Sequence, residues 1–400
     1  MSKSKLNKAI GSIEPSMTIG ISAKAKDMCA SGIDVLTFSA GEPDFDTPEN
    51  IKEAGIKAIR DGFTKYTAAG GINELKDAVV MKEKRHNNLD YERNQVCISV
   101  GAKHSLYNIG AVMLEKQDEV IIPAPYWVTY EAIVKFVGAT PVIVKTDEKD
   151  KFVLNKDKFL RAISDKTKML ILNNPGNPTG VTYSKKDLEF IADVAKEHDF
   201  WIISDEIYED IVFDGYKPVS IATLSDDAYK RTLVVNGTSK SYATTGWRIG
   251  YTCGDKEIIA AMIKLQSQST SNPTSISQMA AVEALNGPQD SVEIMRKEFE
   301  KRRNYIVNEM NSIENITCVN PKGAFYIFPN VSAFYGKSYN GHKINNSMDF
   351  SMLLLEYAHI AVVPGIAFGD DNYIRVSFAT SMENIVKGMK VFKDFINRIQ

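Results

Sequence analysis

Between residues 95 and 237 the chain repeats one pattern six times: a short, almost wholly apolar run, "QVCISV", "DEVIIPA", "TPVIVK", "KMLILN", "FWIISD" and "TLVVNG". Runs of this kind lack the alternation of a strand with one wet face, so both faces need cover. Segments of helical period, among them "SLYNIGAVMLEK" and "KKDLEFIADVAKEH", supply that cover. The alternation predicts an α/β chain with a large, mostly parallel sheet flanked by helices.

The final third changes texture. "SVEIMRKEFEKRRNYIVNEMNSI" reads as one long amphipathic helix, and "GAFYIFPN", "AVVPGIAFG" and "YIRVSFAT" read as strands of a smaller α+β unit. Gly287-Pro288 punctuates between the two textures, which places a boundary there. At 400 residues the chain is long enough for about two cores. Periodicity alone does not say which unit the first ~45 residues join.

Composition excludes several functions. Lys plus Arg, 48, nearly cancels Asp plus Glu, 50, so no bulk field favours nucleic acid, and an acidic small substrate needs a local basic site. Cys29, Cys97, Cys253 and Cys318 form no CxxC pair, which points away from zinc clusters and disulfides and toward a reducing compartment. The five histidines are scattered without HExxH, so no metal site is expected. The start lacks an apolar leader core and no run approaches the roughly 18 residues of a membrane helix; no membrane partner and a cytoplasmic location are expected.

Ligands of open parallel sheets bind beyond the carboxyl ends of the strands. There "GAKHS" opens a helix with a glycine turn whose free amides suit a phosphate, although a plain strand-to-helix turn is the commoner reading. No GxGxxG or GxxxxGK[ST] is present. "NNPGNPTG" makes a tight turn, offers the Asn177 side-chain amide, and contains a candidate cis bond at Asn177-Pro178. Asp205 ends an apolar strand, as a ligand-facing carboxylate or as a helix cap. Lys240 follows the last strand among Gly237, Thr238, Ser239 and Ser241. A surface lysine is the bland alternative, but a lysine held in a pocket is a carbonyl-reactive amine. Together these residues offer what pyridoxal phosphate needs: an amine, an acid for the ring nitrogen, donors for the ring oxygen and a phosphate cradle.

Ten ordered motifs then resemble one family. "TFSAGEPDFDTPE", "KYTAAGGINELKDAV", "SVGAKHSLYN", "PYWVTY", "NNPGNPTG", "SDEIYE", "TSKSYATTGWRIGY", "GAFYIFP", "VVPGIAFG" and "IRVSFAT" are similar to the class I aminotransferases, most closely their bacterial-type aspartate aminotransferase branch. The resemblance implies a pyridoxal phosphate-dependent transferase fold, with a large domain at 48–288 and a small one formed by 1–47 and 289–400.

It also implies roles. Lys240 would be the lysine linked to the cofactor aldehyde. Asp205 would pair with the ring nitrogen, worth about 4 kcal/mol for opposite charges ~4 Å apart at an effective dielectric near 20. Asn177 and Tyr208 would serve the ring oxygen and Trp127 would stack on the ring. Ala102, Lys103 and Arg248 would hold the phosphate, and Tyr66 would reach the phosphate of a neighbouring subunit, which makes a homodimer with shared active sites. Gly41 and Arg375 would hold the substrate α-carboxylate, beside Trp127 and Asn177, and Lys103 the distal one.

The implied reaction moves an amino group between aspartate and 2-oxoglutarate in ping-pong fashion. The alternatives are a preference for aromatic or prephenate substrates, or a lyase or synthase on the same fold. Two departures stand out. Relatives often carry a serine where this chain has Gly237, which questions a hydroxyl contact to phosphate there, and Glu14 replaces a basic residue found in prephenate-using relatives.

Overall fold

The computed structural model describes residues 7–13 and 17–400. Glu14 lies outside the described residues. The centre is a seven-stranded sheet built from β1 (Val96–Ser99), β2 (Glu119–Ala124), β3 (Thr140–Lys145), β4 (Thr167–Asn173), β5 (Trp201–Asp205), β6 (Thr232–Gly237) and β7 (Gly250–Cys253). Their spatial order is β1-β7-β6-β5-β4-β2-β3. β7 runs antiparallel to both neighbours, and the other pairs are parallel.

Both sheet faces are covered, as the unbroken apolar runs require. On one side Ile98, Val234 and Tyr251 pack with Leu75, Val79 and Ala281. On the other Cys97, Leu233 and Val235 pack with Leu106, Ile109 and Ile259. Each fully buried aliphatic side chain contributes about 1.5–3 kcal/mol. The strand missed by sequence reasoning is β7: four residues that begin on a glycine carry too little pattern to stand out.

The C-terminal third holds the expected long helix, Asp290–Asn311, and a small antiparallel sheet in the order Val363–Pro364, Ile374–Ser377, Tyr326–Ile327. "AVVPGIAFG" is only partly a strand, because Gly365–Phe368 winds into a turn of 3₁₀ helix. A Cβ on Gly365 would meet the Asp370 and Tyr373 carbonyl oxygens at 2.3 Å, so backbone closes over this point where a strand would need a flat neighbour. The N-terminal Leu36–Thr37 pairs in parallel with Ile360–Ala361 of the C-terminal third. Among the described residues no helix is long and apolar enough to cross a membrane.

Candidate active site

Strands β4, β5 and β6 end side by side, with Asn173 opposite Asp205 and Asp205 opposite Val235. Beyond them lies a cavity of about 500 Å³, large enough for a small cofactor with its substrate. Every residue expected at the site lines it except Tyr66. Tyr66 is 90% exposed and stands apart from the cavity of its own chain.

Asp205 is buried at the cavity floor, where its Oδ2 accepts from the Tyr130 hydroxyl at 2.6 Å and its Oδ1 from the Ile207 amide at 3.3 Å. Burial pushes its carboxyl up to about 6, against the pull of those two donors and of Lys240. No helix begins at Glu206, so Asp205 is not a helix cap.

The Lys240 amine reaches the same cavity and donates to the Gly41 carbonyl oxygen at 2.7 Å. Its pKa falls to about 8, mainly through burial; Arg375 and Arg248 add to the fall and Glu42 opposes it. The surface-lysine alternative is therefore replaced by an amine that exchanges its proton near neutral pH.

Tyr208 is buried, its hydroxyl 3.0 Å from that of Tyr326, and burial holds the phenol well above its ordinary pKa. Asn177 follows the tight turn, its amide bonded to the Asn173 side chain at 2.8 Å, and the Asn177-Pro178 bond is cis. Its side-chain oxygen accepts from Arg375 Nη1 at 3.1 Å.

Arg375 is 3% exposed, donates through Nη2 to the Ser39 carbonyl at 2.9 Å, and lies 4.4 Å over the Tyr326 ring. Its Nε has no partner, and among the described residues no carboxylate pairs with it. A buried guanidinium lacking its anion is costly, so the site is built for one to arrive.

At the other end Gly101, with φ +82°, turns the chain from β1 into the helix Ala102–Met113. A Cβ there would lie 2.3 Å from Arg248 Nη2, so the glycine admits the guanidinium beside the helix N-terminus. Aligned amides and a cation make an anion cradle. The missing serine has a steric reason: a Cβ on Gly237 would come within 2.8 Å of the Ile249 carbonyl oxygen. Ser239 lines the cavity and puts a hydroxyl there by another route.

Trp127 lies edge-on to Tyr130, ring centroids 5.5 Å apart, and the Lys103 amine sits 4.7 Å over the Trp127 ring. Burial, with help from Arg248, lowers the Lys103 ammonium. Sequence reasoning missed Tyr130 and Tyr326. Tyr130 stands three residues after Trp127 in "PYWVTY", at the start of the helix Thr129–Phe136, and that nearness in sequence was the available signal. Tyr326 comes from a distant strand and left none.

Residues 33–392 match the family described as "Aminotransferase class I and II". An aspartate aminotransferase of Bacillus sp. (strain YM-2) is 45% identical over 394 residues, covering 98% of this chain and all of that protein, 100%. A probable aspartate/prephenate aminotransferase of Rickettsia conorii is 48% identical over 94% of this chain and 95% of its own. The crystal structure of an aspartate aminotransferase from Rhizobium meliloti superposes with TM-score 0.95 at 43% identity, covering 99% of this chain and 100% of that one. One from Thermus thermophilus with maleate superposes at 0.92 and 39% identity, covering 98% and 100%.

This chain belongs to the class I and II aminotransferases.

The aminotransferases of class I depend on pyridoxal phosphate, and this one has the matching donor set. An acid, an amine of lowered pKa, a buried tyrosine and an anion cradle line one cavity. When bound, the cofactor supplies an aldehyde for the amino group and an electron-withdrawing ring that acidifies the attached Cα–H.

Proposed function

We propose that this aminotransferase moves an amino group from L-aspartate to 2-oxoglutarate, giving oxaloacetate and L-glutamate. The observation that carries the reading is Arg375: buried, without a carboxylate partner among the described residues, and lining one cavity with the Lys240 amine. A planar fork suits bidentate capture of an α-carboxylate, which a lysine does not reproduce. The aspartate aminotransferases among the relatives support the substrate choice.

In this reading Lys240 is both tether and base. Its amine would move the proton between substrate Cα and the cofactor carbon that carried the aldehyde, and a pKa near 8 suits both directions at neutral pH. Asp205 pairs with the ring nitrogen, whose positive charge would draw the acid's raised pKa back down. Asn177 and Tyr208 donate to the ring oxygen. Trp127 covers the ring. Ala102, Lys103, Arg248 and Ser239 hold the phosphate, and Gly41 backs the substrate carboxylate. Lys103 also faces the distal carboxylate of a dicarboxylic substrate.

The exposed Tyr66 belongs to the neighbouring subunit's phosphate site, in a homodimer whose active sites are shared. Tyr66 is the most exposed of the large apolar side chains among the described residues, and a partner chain would cover it. The division into a large unit at 48–288 and a small one at 1–47 and 289–400 is part of the same reading. So is a cytoplasmic location, which the four free cysteines support.

Incubation of the reconstituted protein with aspartate and 2-oxoglutarate tests the proposal. Equal amounts of oxaloacetate and glutamate are expected. Release of ammonia or loss of a substrate carboxyl group instead would make it a lyase. The Rickettsia relatives, named for aspartate and prephenate, put prephenate on the acceptor panel.

A further inference from the structure

The segment that follows β5 has two faces. Asp205 and Tyr208 line the active-site cavity, whereas Glu206 and Glu209 line a separate cavity of about 100 Å³. Glu209 is buried, and its carboxylate meets Lys82 of the helix Asn73–Asn87, itself 3% exposed. The same oxygen of Glu209 accepts from Asn236 Nδ2 at 2.6 Å, and Asn236 Oδ1 accepts from the Gly237 amide at 2.8 Å. Gly237 ends β6 and leads to Lys240.

The cluster also holds β7. Tyr251 sits opposite Asn236 in register and its hydroxyl donates to Glu83 Oε1 at 3.1 Å, the oxygen that Lys82 reaches at 2.9 Å. None of Lys82, Glu83, Glu209 or Asn236 touches the active-site cavity.

A buried ion pair is a poor source of stability, because apolar side chains of equal size commonly do as well. What it does supply is direction: each hydrogen bond is specific in length and angle. Here the bonds run from the turn that follows Asp205 to the end of the strand that leads to Lys240, with a helix as the fixed point.

We propose that Lys82, Glu209 and Asn236 are positioning residues, which set the distance and angle between the Lys240 segment and the Asp205–Tyr208 segment from the far side of the sheet. The proposal rests on the pyridoxal phosphate reading of Lys240 and Asp205. Loosening the cluster lets the amine drift relative to the acid and the tyrosine, so cofactor chemistry changes while the substrate grip of Arg375, on another strand, stays as it was.

The test compares wild type with Asn236→Ala, Glu209→Gln and Lys82→Met after reconstitution. Three quantities are read: the pH midpoint of the bound cofactor's visible absorption, the split of kcat against KM for aspartate, and the melting temperature. The expected result is a midpoint moved by about half a pH unit or more, kcat lowered about tenfold, and KM within about twofold. Should a charge-removing variant not fold, Asn236→Ala, which strands no ion, carries the test. Lower melting temperature with wild-type midpoint and kcat overturns the positioning role alone. A wild type that takes up no cofactor overturns the functional reading as well.

Discussion

Arg375 and Asn177 share a hydrogen bond of 3.1 Å, Nη1 donating to the side-chain oxygen, although 198 positions separate them in the sequence. The bond ties the group proposed for the substrate carboxylate to a group proposed for the cofactor ring oxygen. In the proposed reading, capture of substrate by Arg375 would pull on a contact to the ring.

Removing that cation should therefore cost binding. Arg375→Ala is expected to weaken aspartate and 2-oxoglutarate by about 2 to 5 kcal/mol, as for truncation of a buried charge partner. Arg375→Lys should recover little of this, because a point charge does not reproduce the fork. Dissociation constants from half-reaction spectra give the answer, and values equal to wild type would remove Arg375 from the substrate site.

Lys103 lies against Trp127 with a lowered pKa, close to the anion cradle. If its amine meets the distal carboxylate, Lys103→Ala lowers kcat/KM for aspartate about tenfold or more, and for an apolar or aromatic amino acid much less. Equal losses on both would confine the residue to the phosphate. A substrate panel on the purified variant separates the cases.

The amine of Lys240 titrates near 8 and the acid of Asp205 near 6. Only the neutral amine attacks an aldehyde. Below about 8 its neutral fraction falls about tenfold per pH unit. Cofactor capture by cofactor-free protein should therefore speed up as pH rises and level off above about 8, with Asp205 already ionised through that window. Stopped-flow absorbance measures it. Continued acceleration up to the ordinary lysine value of 10.5 would contradict the lowered pKa.

The parts legible in the sequence were those set by short-range chemistry. Unbroken apolar runs announced a sheet covered on both faces, and the turns after β1, β4, β5 and β6 announced the site, because Gly, Pro and Asn are confined to few backbone shapes. The small, glycine-led β7 was illegible: four residues carry too little pattern, and one of its two partners, β1, lies far back in the sequence. The cluster around Lys82 was equally hidden. Nothing in "NELKDAVVMKEKRHN" marks Lys82 and Glu83 among its charges as buried, a fact fixed only by Glu209 and Tyr251 arriving from elsewhere. Tyr66 was legible as a motif residue, but its proposed use depends on a second chain.

The most direct test is chemical. Borohydride reduction of the yellow reconstituted protein, followed by proteolysis and mass spectrometry, should place the pyridoxyl group on the peptide "TSKSYATTGWR" at Lys240, with Lys240→Ala unlabelled and colourless. A label on Lys103 or any other lysine, or colour that survives in Lys240→Ala, would contradict the assignment of the cofactor-binding amine.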